Sequence, residues 1–211
     1  MSMAETQMSD LPPQIRAFIA LPLDPAVARE LDRFQRRLED AVPQNSVRWA
    51  TPEQLHLTLK FLGNIPAQAV EELTAVLRPI GERYPPLQLR AEGMGCFPSA
   101  RRPRVIWVGL HGDLPDLARL QEQVEGVSGR WAEKEERRPF SPHLTLGRVR
   151  ETAARQAPRI GEVLQSISAP VCGSWTAPEF LLMRSQLSPH GATHTVLARF
   201  PLARAANSPA S

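Results

Sequence analysis

Apolar residues along this chain recur in two rhythms, one of period two and one near 3.6, with prolines set between them. Ile15 to Leu23 (IRAFIALPL) predicts a first strand behind a loose tail, residues 1–14. From Ala26 to Val42, the residues Val27, Leu31, Phe34 and Leu38 recur in steps of four, three and four. That spacing lines one face of an amphipathic helix. Asp24 offers the N-cap oxygen, and Pro25 takes the first helical position, where a missing N–H costs nothing. Val47 to Ala50 and Leu55 to Leu62 then read as a strand pair broken at Thr51-Pro52. A second helix after Pro66 carries Val70, Leu73, Leu77 and Ile80 on one side.

Strands are predicted at Leu87 to Glu92 and Val105 to Leu110, separated by a Gly/Pro/Arg-rich loop, Gly93 to Arg104. A third helix spans Asp113 to Trp131 and carries Leu117, Leu120, Val124 and Val127. A charged run from Glu133 to Arg138 leads into Pro142 and a strand at His143 to Val149. A further helix covers roughly Pro158 to Ser166. Ser174 to Leu187 and Thr193 to Leu202 look like the strands of a closing hairpin, followed by a second loose tail, 203–211. Strands and helices mix without a strict βαβα rhythm, so the expected fold class is α+β. Two lobes are expected within one domain, 15–202, each a small antiparallel sheet backed by helices.

Composition narrows the function classes. The chain has 211 residues, 42% of them hydrophobic, enough for one sizeable core or two small packed lobes, and disorder is not its default reading. No apolar run is long enough to span a bilayer, and the first ten residues lack the pattern of a secretory leader, so a cytoplasmic protein is expected. Cys96 and Cys172 form neither a CxxC pair nor a zinc-like cluster; both read as small buried hydrophobes, and no metal or cofactor is implied. Net charge is only +3, yet Lys60 and Lys134 are the sole lysines among 25 basic residues. Arginine's planar fork suits phosphate, a mild lean toward an anionic ligand. Basic residues are not interleaved with aromatics as in long nucleic-acid grooves, so a small anion or a strand end fits better than an extended duplex.

One tetrapeptide occurs twice, as His56-Leu57-Thr58-Leu59 and as His143-Leu144-Thr145-Leu146. On a strand, alternate side chains share a face, so both leucines enter a core while His and Thr are presented together on the other side. A lone histidine in an apolar strand is usually a core residue. Two copies, each joined to a hydroxyl, favour a site shared by two related units facing each other across a groove. Imidazole titrates near neutrality, so one ring can take a proton from water while the other gives one to a leaving oxygen. In-line displacement at phosphorus needs those groups on opposite sides. The threonine hydroxyls can hold the non-bridging oxygens, and no nucleophile elbow offers acyl transfer instead.

At these residues the chain resembles the two-histidine phosphoesterase superfamily, in particular its LigT-like branch of RNA 2′,3′-cyclic phosphodiesterases, formerly called 2′-5′ RNA ligases. The flanks HLTLKFLGNI and RPFSPHLTLGRV, the opening IRAFIALPL and the closing TVLARFPL carry the likeness from about Ile15 to Leu202. The resemblance implies a bilobal fold with a pseudo-two-fold axis and a central groove. It also implies metal-independent hydrolysis of an RNA or nucleoside 2′,3′-cyclic phosphate to a 2′-phosphomonoester. By position, His56 would protonate the leaving 3′ oxygen, His143 would activate water, and Thr58 and Thr145 would bind the phosphoryl oxygens. Arg148 matches a family arginine near the phosphate and terminal nucleoside, and Phe61 a family aromatic that packs on the base. RNA ends or small cyclic nucleotides are the expected partners of a monomer that needs no other protein.

The same groove would serve a 2′-5′ RNA ligase or a non-catalytic binder of RNA ends, although binding alone would not need two titratable rings. His194-Thr195-Val196 stands where relatives often carry Tyr-Thr-Val; lacking the His-x-Thr spacing, it is left out of the site. His111 and His190, each beside a glycine, read as turn residues.

Overall fold

Period-two segments become strands and 3.6-period segments become helices. The computed structural model describes residues 11–134, 138–188 and 191–203. In chain order these form β1 (Gln14–Pro22), α1 (Pro25–Ala41), β2 (Val47–Trp49), β3 (His56–Pro66), α2 (Ala69–Gly81), β4 (Leu87–Phe97) and β5 (Val105–Gly112). They continue as α3 (Leu114–Ser128), β6 (His143–Val149), α4 (Ala157–Ser166), β7 (Val171–Ala177), β8 (Glu179–Ser188) and β9 (Gly191–Pro201). Asp24 starts α1 as expected: its carboxylate accepts from the Ala26 N–H at 2.7 Å, satisfying a helix donor that has no partner in the first turn.

The strands form one antiparallel sheet in the order β7-β4-β5-β6-β3-β1-β8-β9, with β2 added beside β6. The α+β class is as predicted, but two separate sheets are not: all nine strands belong to one sheet, eight along a single path and β2 beside it on β6. Its narrowest point is β3 against β6, where the register is a single pair, Leu57 opposite Leu144. One face of the sheet lies under helices. Ile19, Leu21, Leu57 and Leu144 meet Leu31 of α1 and Leu73 and Leu77 of α2 there, all at 0% exposure. Each such side chain contributes roughly 1.5–3 kcal/mol by leaving water. The helices also cross between halves of the sheet, α1 resting on β7 and α3 on β3.

Three further expectations change. Val47–Trp49 pairs with β6 and not with β3, because Pro52–Gln54 makes a tight turn that carries the chain away from β2. The predicted loop at Gly93 is strand: β4 continues to Phe97 over a bulge between Ala91 and Met94, where Gly93 takes φ +82°, a backbone angle that favours glycine. The segment Ser174 to Leu187 is two strands parted at Pro178, β7 on β4 and β8 on β1; the hairpin itself is β8 with β9. The expected tails fall largely outside the described residues, although Gln14 already belongs to β1.

Candidate active site

The pair Leu57–Leu144 does more than join the sheet. Both leucines point into the helix-backed core, so their neighbours on each strand point the other way. Extending the antiparallel register by one residue each way sets His56 across from Thr145 and Thr58 across from His143. The two motifs thus interleave on the open face as a square of two imidazoles and two hydroxyls. The histidines occupy opposite corners, and such diagonal neighbours lie roughly 7–8 Å apart between Cα atoms in a regular pair. All four residues are half-buried, and neither threonine hydroxyl is engaged by another described residue.

Phe61 and Arg148 each follow their histidine by five positions, an odd spacing that would put them on the wrong face of a regular strand. A bulge corrects this in both copies. The β1–β3 register slips by one at Leu59, and the β5–β6 register slips by one at Leu146. In the first copy Leu59 and Lys60 both turn inward, and the buried Lys60 ammonium is paired with Glu125 of α3. In the second, Gly147 takes the place of that lysine. A Cβ there would come within 2.7 Å of Val47 and 2.8 Å of Trp49. Phe61, 55% exposed, is therefore a surface aromatic beside Phe18 and no part of the core. Arg148 is exposed on the same face.

The rings are held alike. His56 Nδ1 lies 2.7 Å from the carbonyl oxygen of Gln54, and His143 Nδ1 lies 2.7 Å from that of Ser141. A carbonyl only accepts, so Nδ1 carries a hydrogen in either charge state and Nε2 is left for chemistry. Phe18 stacks on His56 at 4.7 Å between centroids, and Phe97 meets His143 edge-on at 5.0 Å. Burial against these aromatics lowers both pKa values. His56 falls to about 4, with the charge of His194 the next cause and that of Arg148 a smaller one. His143 is lowered by burial and then by Arg148, against the opposing pull of the Ser141 carbonyl. One guanidinium therefore acts on both imidazoles.

His194, set aside in the sequence, belongs here: its ring meets His56 edge-on at 5.2 Å and Phe18 at 4.9 Å. Burial lowers its pKa as well. Trp107, opposite Thr145, was also missed; it lies 6.4 Å from His143, in space that Gly95 leaves open. Local pattern pointed to neither, since Trp107 comes from β5 beside β6 and His194 from β9, beyond β1 and β8. His111 is the next-to-last residue of β5, exposed and opposite Arg90, and His190 lies outside the described residues. Cys172 is buried as expected, whereas Cys96 is half-buried. Among the described residues, no group of three or more His, Cys, Asp or Glu is placed to hold a metal ion, and no helix is long and apolar enough to cross a membrane.

The antiparallel sheet with helices on one face is shared with solved structures. TT0787 of Thermus thermophilus superposes with a TM-score of 0.72 at 28% identity, over 90% of this chain and 98% of that one. LigT of E. coli complexed with 3′-AMP gives 0.72 at 24% identity, over 90% and 99%, a likeness of fold. Residues 21–107 and 110–193 match, one His-x-Thr motif in each, the family described as LigT like Phosphoesterase, and this chain belongs to it. It is 31% identical over 189 residues to the RNA 2′,3′-cyclic phosphodiesterase of Methanothermobacter thermautotrophicus, covering 90% of this chain and 100% of that protein. The protein of the same name from Thermus thermophilus is 33% identical over 194 residues, covering 89% and 90%.

Proposed function

We propose that this protein hydrolyses the 2′,3′-cyclic phosphate of an RNA end or nucleoside to a 2′-phosphomonoester, with histidines and no metal ion. The observation that carries the reading is the interleaved square of His56, Thr145, His143 and Thr58 set by the Leu57–Leu144 register. A phosphate centred there meets an imidazole on either side and a hydroxyl beside each. Water attacks phosphorus as His143 Nε2 takes its proton; the P–O3′ bond breaks as His56 Nε2 gives its proton to the 3′ oxygen. Thr58 and Thr145 donate to the non-bridging oxygens, and Arg148 offsets their charge. His56 is a poor proton carrier in the empty site, but a phosphate anion beside it favours its charged form. Phe61 offers its exposed ring to the terminal base.

Residues 15–202 act as one catalytic unit, a monomer working in the cytoplasm, where the free thiols Cys96 and Cys172 would stay reduced. Relatives named RNA 2′,3′-cyclic phosphodiesterase support the substrate class. Incubation with an oligoribonucleotide ending in a 2′,3′-cyclic phosphate should yield the 2′-phosphate, at a rate unchanged by EDTA. A 3′-phosphate product, or loss of turnover with the chelator, would contradict the proposal.

A further inference from the structure

Arg48 and Arg148 are register partners on β2 and β6, and both are exposed on the open face. Side chains directly opposite share a face with Cβ atoms about 4.5–5.5 Å apart, and like charges there are unfavourable. Arg16 of β1 points to the same face, between the core-facing Ile15 and Ala17, two residues before Phe18, the register partner of Phe61. The charges of Arg16 and Arg48 both reach Arg148. Elsewhere arginines find acids, as Arg90 finds Glu92 and Arg199 finds Glu179. Among the described residues, none of these three forms an ion pair with a carboxylate. Three cations without counter-charge, Arg48 and Arg148 beyond Thr145 on one side of the paired histidines and Arg16 beside Phe61 on the other, are stabilised when an anion lies among them.

We propose that Arg16, Arg48 and Arg148 form a second phosphate subsite that takes the internucleotide phosphate on the 5′ side of the terminal nucleoside, so that a strand end is a better substrate than a free cyclic nucleoside. The proposal rests on the reading above, which seats the cyclic phosphate between the histidines and the terminal base on Phe61. The next phosphate of the strand then falls beside the arginines. Arg148 faces both phosphates, while Arg16 and Arg48 face only the second.

The test compares the wild type with the double variant Arg16→Gln, Arg48→Gln on three substrates: a nucleoside 2′,3′-cyclic phosphate, its 5′-phosphorylated form and a dinucleotide ending in the cyclic phosphate. In the wild type, kcat/KM for the dinucleotide should exceed that for the plain nucleoside roughly tenfold or more. The double variant should lose that advantage and keep its rate on the plain nucleoside within about twofold, as only one phosphate is then unheld. Equal help from a bare 5′-phosphate identifies the shared chemistry as any phosphate at that position; help from it but not from the dinucleotide overturns the RNA assignment. Equal losses on all three substrates, or none, overturn the subsite. If the wild type turns over none of them, the hydrolase reading fails by itself, and binding of a labelled oligoribonucleotide still tests the arginines. Its log Kd against log salt should flatten by about 0.7 per contact removed, and an unchanged slope overturns the proposal.

Discussion

Leu57 and Leu144 face each other as the one register pair through which β3 meets β6, and both are fully buried. The contact that closes the sheet is therefore the contact that assembles the site. Core packing on one side of these strands fixes, through the period of two, where four polar side chains stand on the other. Little freedom is left for the imidazoles, since each is tied at Nδ1 and backed by a phenyl ring.

Burial sets the expected pH dependence. In the free enzyme His56 loses its proton near 4, and His143 loses its own below the usual 6.5. The proposed mechanism needs His56 protonated and His143 neutral, a minor form of the free enzyme because His56 is the weaker base. The same two groups set both limbs of the profile. As pH falls through about 4 both become charged; as it rises through the pKa of His143 both become neutral. A profile of kcat/KM should therefore be a bell with its maximum on the acid side of about 6.5, and a maximum above about pH 7.5 would contradict the site described. Replacing His194 with Phe removes a positive neighbour that holds His56 down, so the low-pH limb should move upward.

Phe61 separates binding from folding. More than half exposed, it contributes little to the core. Phe61→Ala should leave the urea midpoint nearly unchanged while KM for a nucleotide substrate rises by about five- to a hundredfold, the worth of one base–aromatic stack. A large loss of stability with unchanged KM would show the ring to be structural.

The repeated His-Leu-Thr-Leu was legible because it obeys strand periodicity: two leucines buried, two polar groups presented. The helices were legible for the same reason, as Val70, Leu73, Leu77 and Ile80 all proved buried in α2. What escaped were breaks in the pattern. The bulges at Leu59 and Leu146 put two successive residues inward, and a buried Lys60 or Gly147 carries no hydrophobic signal. The partner of β2 depended on long-range pairing with β6. His194 had no motif of its own; only the β8–β9 hairpin beside β1 brings it to His56. The arginine trio likewise gathers three strands far apart in the chain.

Lys60 and Glu125 test the bulge. Glu125→Ala leaves a buried ammonium unpaired and should cost on the order of 3 kcal/mol, read from urea denaturation. Lys60→Met removes the buried charge and leaves a partly exposed carboxylate that water can reach, so it should cost clearly less. The reverse order would mean that the lysine holds the strand by something other than this pair.

If His56 and His143 act on one phosphorus in one step, as proposed, a double-mutant cycle between them shows it. Rates on an RNA 2′,3′-cyclic phosphate are measured for His56→Ala, His143→Ala and the two combined. Each single change should lower kcat by on the order of a hundred- to ten-thousandfold. The double variant should be no slower than the worse single one, as expected of groups that work as a unit. Losses that multiply, or a single variant that keeps its turnover, would show that the two rings do not share one step.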